Sequence, residues 1–147
     1  MSEPSFSVII NSTNYISRTD RSSIKYGIDW SFLPEGKYSM SWRFNSKATT
    51  ASYVLLLSLT DLGCNFNSYT AGSTTTAQNN NYIGTLSNYY SGNAAGMFYA
   101  DFGDNAPLRL EAKPTSNIFY VNLYDNTGTA YDPLVDYILI LNFQKIN

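Results

Sequence analysis

The sequence predicts an all-β protein built as an antiparallel β-sandwich, and three observations carry that prediction. Apolar residues recur with period two along most of the chain, the apolar runs are short and punctuated by Gly, Pro, Asn and Asp, and no stretch shows the 3.6-residue spacing of an amphipathic helix. Period two puts alternate side chains on opposite faces, which suits a sheet.

The first run is "SFSVIIN", in which Phe6, Val8 and Ile10 share a face and alternate with small or apolar neighbours. A second run holds Ile24, Tyr26, Ile28, Trp30 and Phe32 in phase and reads as one strand. At Pro34-Glu35-Gly36 the chain must turn, because Pro fixes φ and Gly permits positive φ. The expected product is a hairpin that lays the Trp30/Phe32 face and the next run over one core. That next run is the clearest strand in the chain: Tyr38, Met40, Trp42 and Phe44 point one way, and Lys37, Ser39, Ser41 and Arg43 the other. Trp30, Phe32, Tyr38, Met40, Trp42 and Phe44 are therefore the expected structural core.

"SYVLLLSLTDL" is apolar on both faces, and its shortness and β neighbours favour a strand over a buried helix. From Leu62 through Ala100 there is no charged residue, and Asn, Ser, Thr, Gly and Tyr dominate. A structureless loop of that length is uncommon inside one domain. The expectation is a long inter-sheet connection at about 63–96 with a weak strand near Tyr82 to Leu86. "GMFYADFG", "PLRLEAK", "NIFYVNLYD" and "DYILILNFQKI" complete about eight strands, separated by turns at Gly103-Asp104-Asn105, Lys113-Pro114-Thr115 and Asn126-Thr127-Gly128. Eight strands favour a single jelly roll over the seven-strand immunoglobulin-like layout.

A chain of 147 residues has the length of one domain, here 1–147, and needs no disulfide or metal to bury a core. Only 14% of its residues are charged while 16% are aromatic, against about 25% charged in an ordinary soluble domain. That imbalance points to surface meant to be covered. The net charge of −2 gives nucleic acid no general attraction, and the basic residues of the first third, Arg18, Arg21, Lys25, Lys37, Arg43 and Lys47, are mixed with acids as on a solvated strand face. No nucleic-acid partner is expected.

There is no histidine, and Cys64 is the sole cysteine. Ser/His and Cys/His nucleophiles, the usual zinc sites and an internal disulfide are thereby excluded, and the lack of disulfides fits assembly in a reducing compartment. "MSEPSFSVII" has neither a basic n-region nor a long apolar core, so no signal peptide is expected, and no run approaches the ~18 apolar residues that would span a bilayer.

The remaining chemistry-bearing groups read as structural. Asp29 and Glu35 are a conceivable acid and base pair of the glycosidase kind, but turn and surface carboxylates are the simpler account. "DFGDN" offers oxygen atoms of Asp101, Asp104 and Asn105 to calcium without the spacing of an EF-hand loop, and Asp and Asn favour turns for their own reasons, so neither metal nor cofactor is expected. The sequon at Asn11 follows a strand-like run, and an occupied glycan is not expected. What remains is recognition. Tyr69, Tyr82, Tyr89 and Tyr90 lie in the uncharged segment beside small polar residues, the mixture of adaptable contact surfaces, and are candidate interface residues; the alternative is that they fill the core.

The opening "SFSVIINSTNYIS", the stretch "YGIDWSFLPEGKYSMSWRFNS" and the closing "DYILILNFQKIN" resemble the short single-jelly-roll structural proteins of eukaryotic double-stranded DNA viruses, the minor capsid and penton-type proteins of giant viruses, virophages and their relatives. The resemblance lies in a V-x-hydrophobic-N-S strand, a D-W-x-hydrophobic-L-P-x-G-x-Y turn and a final Y-hydrophobic-L-hydrophobic-L-x-F strand. It implies a virion protein without enzymatic activity, assembled in the host cytoplasm or nucleus, that contacts itself as a homo-oligomer and other capsid proteins. The rival expectation is a carbohydrate-binding, lectin-like sandwich with Tyr and Trp as stacking platforms. The in-phase positions of Trp30 and Trp42 weigh against it.

Overall fold

The computed structural model describes residues 4–46, 54–76, 78, 81–90 and 96–146. Its strands are β1 (Ser5–Asn11), β2 (Ser17–Arg18), β3 (Ser23–Gly27), β4 (Lys37–Ser46), β5 (Leu55–Thr60), β6 (Tyr82–Tyr90), β7 (Gly96–Ala100), β8 (Leu108–Leu110), β9 (Ile118–Tyr124) and β10 (Tyr137–Ile146), with one 3-10 turn at Trp30–Phe32. The described chain is all-β, and every pairing between these strands is antiparallel.

The strands form one ladder in the order β1-β10-β4-β7-β6-β5-β9-β3-β2, with β8 added to β4. The ladder curls. β3 and β10 are far apart in it, yet the hydroxyls of Tyr26 and Tyr137 meet at 3.1 Å in the interior. Trp30 packs edge-on against Phe143 of β10 at 5.6 Å and tilted against Phe119 of β9 at 6.1 Å. One apolar cluster fills the curl, and alternation decides which residues join it: along β4, Tyr38, Met40, Trp42 and Phe44 are buried while Lys37, Arg43 and Asn45 are exposed.

β6 is the strand on which the ladder bends. Its first half pairs with β5 and its second half with β7, so the segment expected to be mostly connection carries a nine-residue strand. Register shifts between Leu57 and Ser58: Leu57 faces Gly84 and Ser58 faces Tyr82, which leaves Ile83 as the extra residue of a bulge. Two side chains bond to backbone groups of β6 at and beside the bulge. Trp42 Nε1 donates to the Ile83 carbonyl at 3.1 Å, and the Asn105 carboxamide accepts from Thr85 N–H at 3.0 Å and donates to the Thr85 carbonyl at 3.1 Å. Gly84, at φ 152°, leaves the space for both, because a β-carbon there would collide with the Asn105 carboxamide and the Trp42 ring.

The expected hairpin around Pro34-Glu35-Gly36 is not formed. β3 ends at Gly27 and pairs with β9, whereas β4 pairs with β10, so the turn joins two strands that are not neighbours in the ladder. Between them Asp29 caps the 3-10 turn by accepting from Ser31 N–H at 3.0 Å, and Leu33 N–H closes it on the Trp30 carbonyl at 3.0 Å. In a 3-10 turn residues two apart point in different directions, not to one face as in a strand. Trp30 is consequently buried and Phe32 is 42% exposed, which removes Phe32 from the expected core. Lys113 braces the loop by donating to the carbonyls of Leu33 at 2.8 Å and Trp30 at 3.3 Å.

Candidate interaction surface

The candidate tyrosines do not form one described surface. Tyr69 is 67% exposed in the loop before the bridge between Thr70 and Gln78. Tyr82, at the start of β6, is half-buried with its ring edge-on to Tyr124 at 5.8 Å. Tyr89 and Tyr90 end β6, and their side chains lie outside the described residues. Among the described residues no ring contact or hydrogen bond joins Tyr69 to Tyr82.

The carboxylates and turn motifs have local partners. Asp29 is the cap of the 3-10 turn, and that hydrogen bond holds its carboxyl below the usual carboxylate range. Glu35 reaches Lys113 at 3.7 Å. In "DFGDN", Asp104 accepts from Asp101 N–H at 2.7 Å, Asp101 lies 3.4 Å from Arg43, and Asn105 serves the bulge. Asn11 accepts from the backbone and the hydroxyl of Thr13 at 3.0 and 2.8 Å, closing a tight turn after β1. Among the described residues no group of three His, Cys, Asp or Glu could hold a metal ion. Cys64 is half-buried, and burial pushes its thiol up to about 11, which makes it a poor nucleophile near neutrality.

Both tryptophans are interior, with their indole N–H groups spent on backbone carbonyls: Trp30 on Ser116 at 2.8 Å and Trp42 on Ile83 at 3.1 Å. Neither presents a face to a sugar.

The apolar surface that the structure does present lies elsewhere. On the outer face of β1 and β10, Ile9 stands opposite Ile140 and Asn11 opposite Ile138. Ile9 is 70% exposed and Ile138 is 42% exposed, on ordered strands and not on a loop. Beside β1 runs a groove of about 110 Å³ that separates it from β3, lined by Ile9, Ile10, Asn14, Tyr26, Gly27 and Ile28. Beyond the groove the exposed side chains of Ile16 and Ile118 close over Gly27. The sequence carried a signal for this surface, because "SVII" and "YILIL" are apolar at consecutive positions and so on both faces.

A polar tie fixes the end of β1 next to this surface. Asp136 accepts from the Ser12 hydroxyl and from Arg21 Nε, each at 2.9 Å, and Arg18 lies 3.7 Å away. Ser12 and Tyr137 exchange bonds, the Ser12 N–H reaching the Tyr137 carbonyl at 3.1 Å and the Tyr137 N–H the Ser12 hydroxyl at 2.9 Å. Arg21 and Ser12 hold the Asp136 carboxyl below its ordinary value. Beneath them, burial pushes Tyr26 up to about 12 and Tyr137 upward as well.

Among the described residues no helix is long and apolar enough to cross a membrane. No protein-family model matches the chain, and no curated protein matches it significantly in sequence.

Proposed function

We propose that the chain is a structural subunit that works through protein–protein contacts, a single jelly-roll component of a viral shell of the minor capsid or penton type. The observation that carries the contact reading is the outer face of β1 and β10, where Ile9 and Ile138 stand exposed on ordered strands. Apolar side chains grouped on a rigid sheet lose by staying in water and gain about 25 cal/mol for each Å² they bury against a partner. Low charge supports the same reading, since only 14% of residues are charged.

The curled antiparallel ladder is compatible with a jelly roll, in which β1, β10, β4 and β7 make one layer and β3, β9, β5 and β6 the other. The shell assignment rests on the resemblance of the two end segments and of the Asp29–Gly36 turn. In this reading the chain is not an enzyme, binds no cofactor, and finds its partners in other shell proteins and in itself.

The test is biochemical. An antibody against the chain is applied to gradient-purified particles from its source, and the recombinant chain is screened on a glycan array. Presence in particles at a fixed ratio to the major shell protein, with no glycan bound, is the expected result. Absence from particles, or saturable binding to one glycan class, overturns the reading in favour of a free or lectin-like module.

A further inference from the structure

The outer edge of β1 is an unprotected strand edge. Among the described residues β1 has a ladder neighbour on one side, β10. The bonds Ser12 N–H to the Tyr137 carbonyl and Lys145 N–H to the Pro4 carbonyl show that even-numbered residues turn their backbone groups to β10. By the alternation of an antiparallel ladder, Ser5, Ser7, Ile9 and Asn11 turn theirs away from it. The Asn11 carbonyl is taken by Asn14 N–H at 3.0 Å. Among the described residues nothing bonds to the outward backbone groups of Ser5, Ser7 and Ile9, which recur at strand spacing.

Edge strands are normally blunted by charge, an internal Pro, a bulge or shortness. β1 has none of these: its seven residues carry no charge and no Pro, and its register with β10 is unbroken. The opposite end of the ladder is protected, because β2 is only two residues long. Such an edge is complemented by an extended, uncharged backbone that offers a small residue beside Ile9.

We infer that β1 pairs antiparallel with β1 of a second copy about a two-fold axis at Ser7, joining two sheets edge to edge. In this register Ser7 faces Ser7, Ser5 faces Ile9, and Phe6 faces Val8. Each of the three open residues finds a hydrogen-bonded mate, and the occupied Asn11 carbonyl is not needed. The bulky Ile9 lies beside a serine, while Phe6 and Val8 make an aromatic and β-branched cross-strand pair. Centring on Val8 instead would oppose Ser5 to Asn11 and ask for the carbonyl already bonded to Asn14. Self-pairing brings no like charges together in the strand, and a net charge of −2 leaves little repulsion between copies.

This inference goes beyond the shell reading by naming the surface and the partner, and it stands or falls independently of it. Sedimentation of the wild-type chain across a concentration series is expected to show a reversible monomer–dimer equilibrium. Ser7→Pro removes an outward N–H while sparing the β1–β10 bonds, the one place a strand tolerates Pro, and should leave a monomer with an unchanged unfolding midpoint. Should that variant fail to fold, Ile9→Lys, which sets a charge on the edge, takes its place with the same expected outcome. In a Cys64→Ser background, Ser7→Cys should form an intermolecular disulfide on mild oxidation and Ser5→Cys should not. Opposed residues of a hydrogen-bonded pair stand about 5.5 Å apart at Cα, inside the range a disulfide spans. A wild-type chain that stays monomeric at its solubility limit, or a dimer that survives Ser7→Pro or Ile9→Lys, overturns the inference. Either outcome leaves contacts with other shell proteins untouched.

Discussion

Trp42 is expected to be the most sensitive position in the fold, because it does two jobs at one place. Its ring is buried on the inner face of β4, and its indole N–H donates to the carbonyl of Ile83, the residue that the β6 bulge leaves without a strand partner. Trp42→Ala removes both. Loss of a buried aromatic costs about 3–5 kcal/mol, and a buried carbonyl left without a donor costs about 1–3 kcal/mol. Against a total stability of roughly 5–15 kcal/mol for a domain of ordinary size, the alanine chain is expected to be largely unfolded. Trp42→Phe separates the two effects: it keeps most of the volume and loses the donor, so it should cost about 1–3 kcal/mol. Urea titration followed by far-UV circular dichroism measures this without relying on the deleted fluorophore, and an unchanged slope would confirm that the midpoint shift is stability. A Trp42→Phe chain as stable as wild type would refute the claim that the indole N–H supports the bulge, and a Trp42→Ala chain within 1 kcal/mol of wild type would refute the packing of β4 itself.

Three further outcomes follow from the same geometry. Gly84→Ala should destabilise the chain strongly and in partial redundancy with Asn105→Ala, since the new methyl displaces the Asn105 carboxamide from Thr85; additive losses in a double-mutant cycle would contradict that coupling. The Asp136 carboxyl is held low in the folded chain, so its contribution is present above the unfolded value near 3.8 and is lost as pH falls through the folded value. Asp136→Asn should therefore lower the thermal midpoint at neutrality and flatten the acid side of its profile, the variant and wild type converging as pH falls below about 4. Tyr26 is raised to about 12 and Tyr137 is also raised, so the fold favours their neutral forms and loses stability as pH rises past the unfolded value of 10. Tyrosinate absorbance should show a late fraction that appears together with unfolding, and a single early titration of all tyrosines would contradict the burial of this pair.

The class of fold was legible because alternation is a local signal. β4 reads its own burial from one residue to the next, and β10 and β9 announce themselves by the same rhythm. Residues 24–32 kept that rhythm and yet do not form one strand. Asp29 offered a competing local bond, a side-chain cap onto Ser31, and the chain took a 3-10 turn at the point where a strand would have continued. The period-two pattern was thus satisfied by Trp30 and broken by Phe32. Pairing was less legible still. Pro34-Glu35-Gly36 marks a reversal, and a reversal between adjacent strands is a hairpin; that β3 instead seeks β9, across nearly a hundred residues, is decided by how the sheet curls and not by the turn.

The same limit applies to the exposed apolar face of β1 and β10. A strand that is apolar on both faces reads as buried on both faces, and β10 does lie between two neighbours, β1 and β4. Having neighbours on both edges says nothing about what covers a face. Ile138 is 42% exposed although β10 has a neighbour on each edge, and Ile9 is 70% exposed on β1, which ends the ladder. Edge and face are properties of the assembled sheet, and composition registers them only as a deficit of charge. A chain with 14% charged residues must leave some neutral surface in water, and folding decides where. Part of it is Ile9 on β1, the edge strand whose residues 5, 7 and 9, among the described residues, also keep their backbone groups open. A strand added to that edge would satisfy the backbone groups of β1 and leave the outer face of Ile9 and Ile138 for a separate contact.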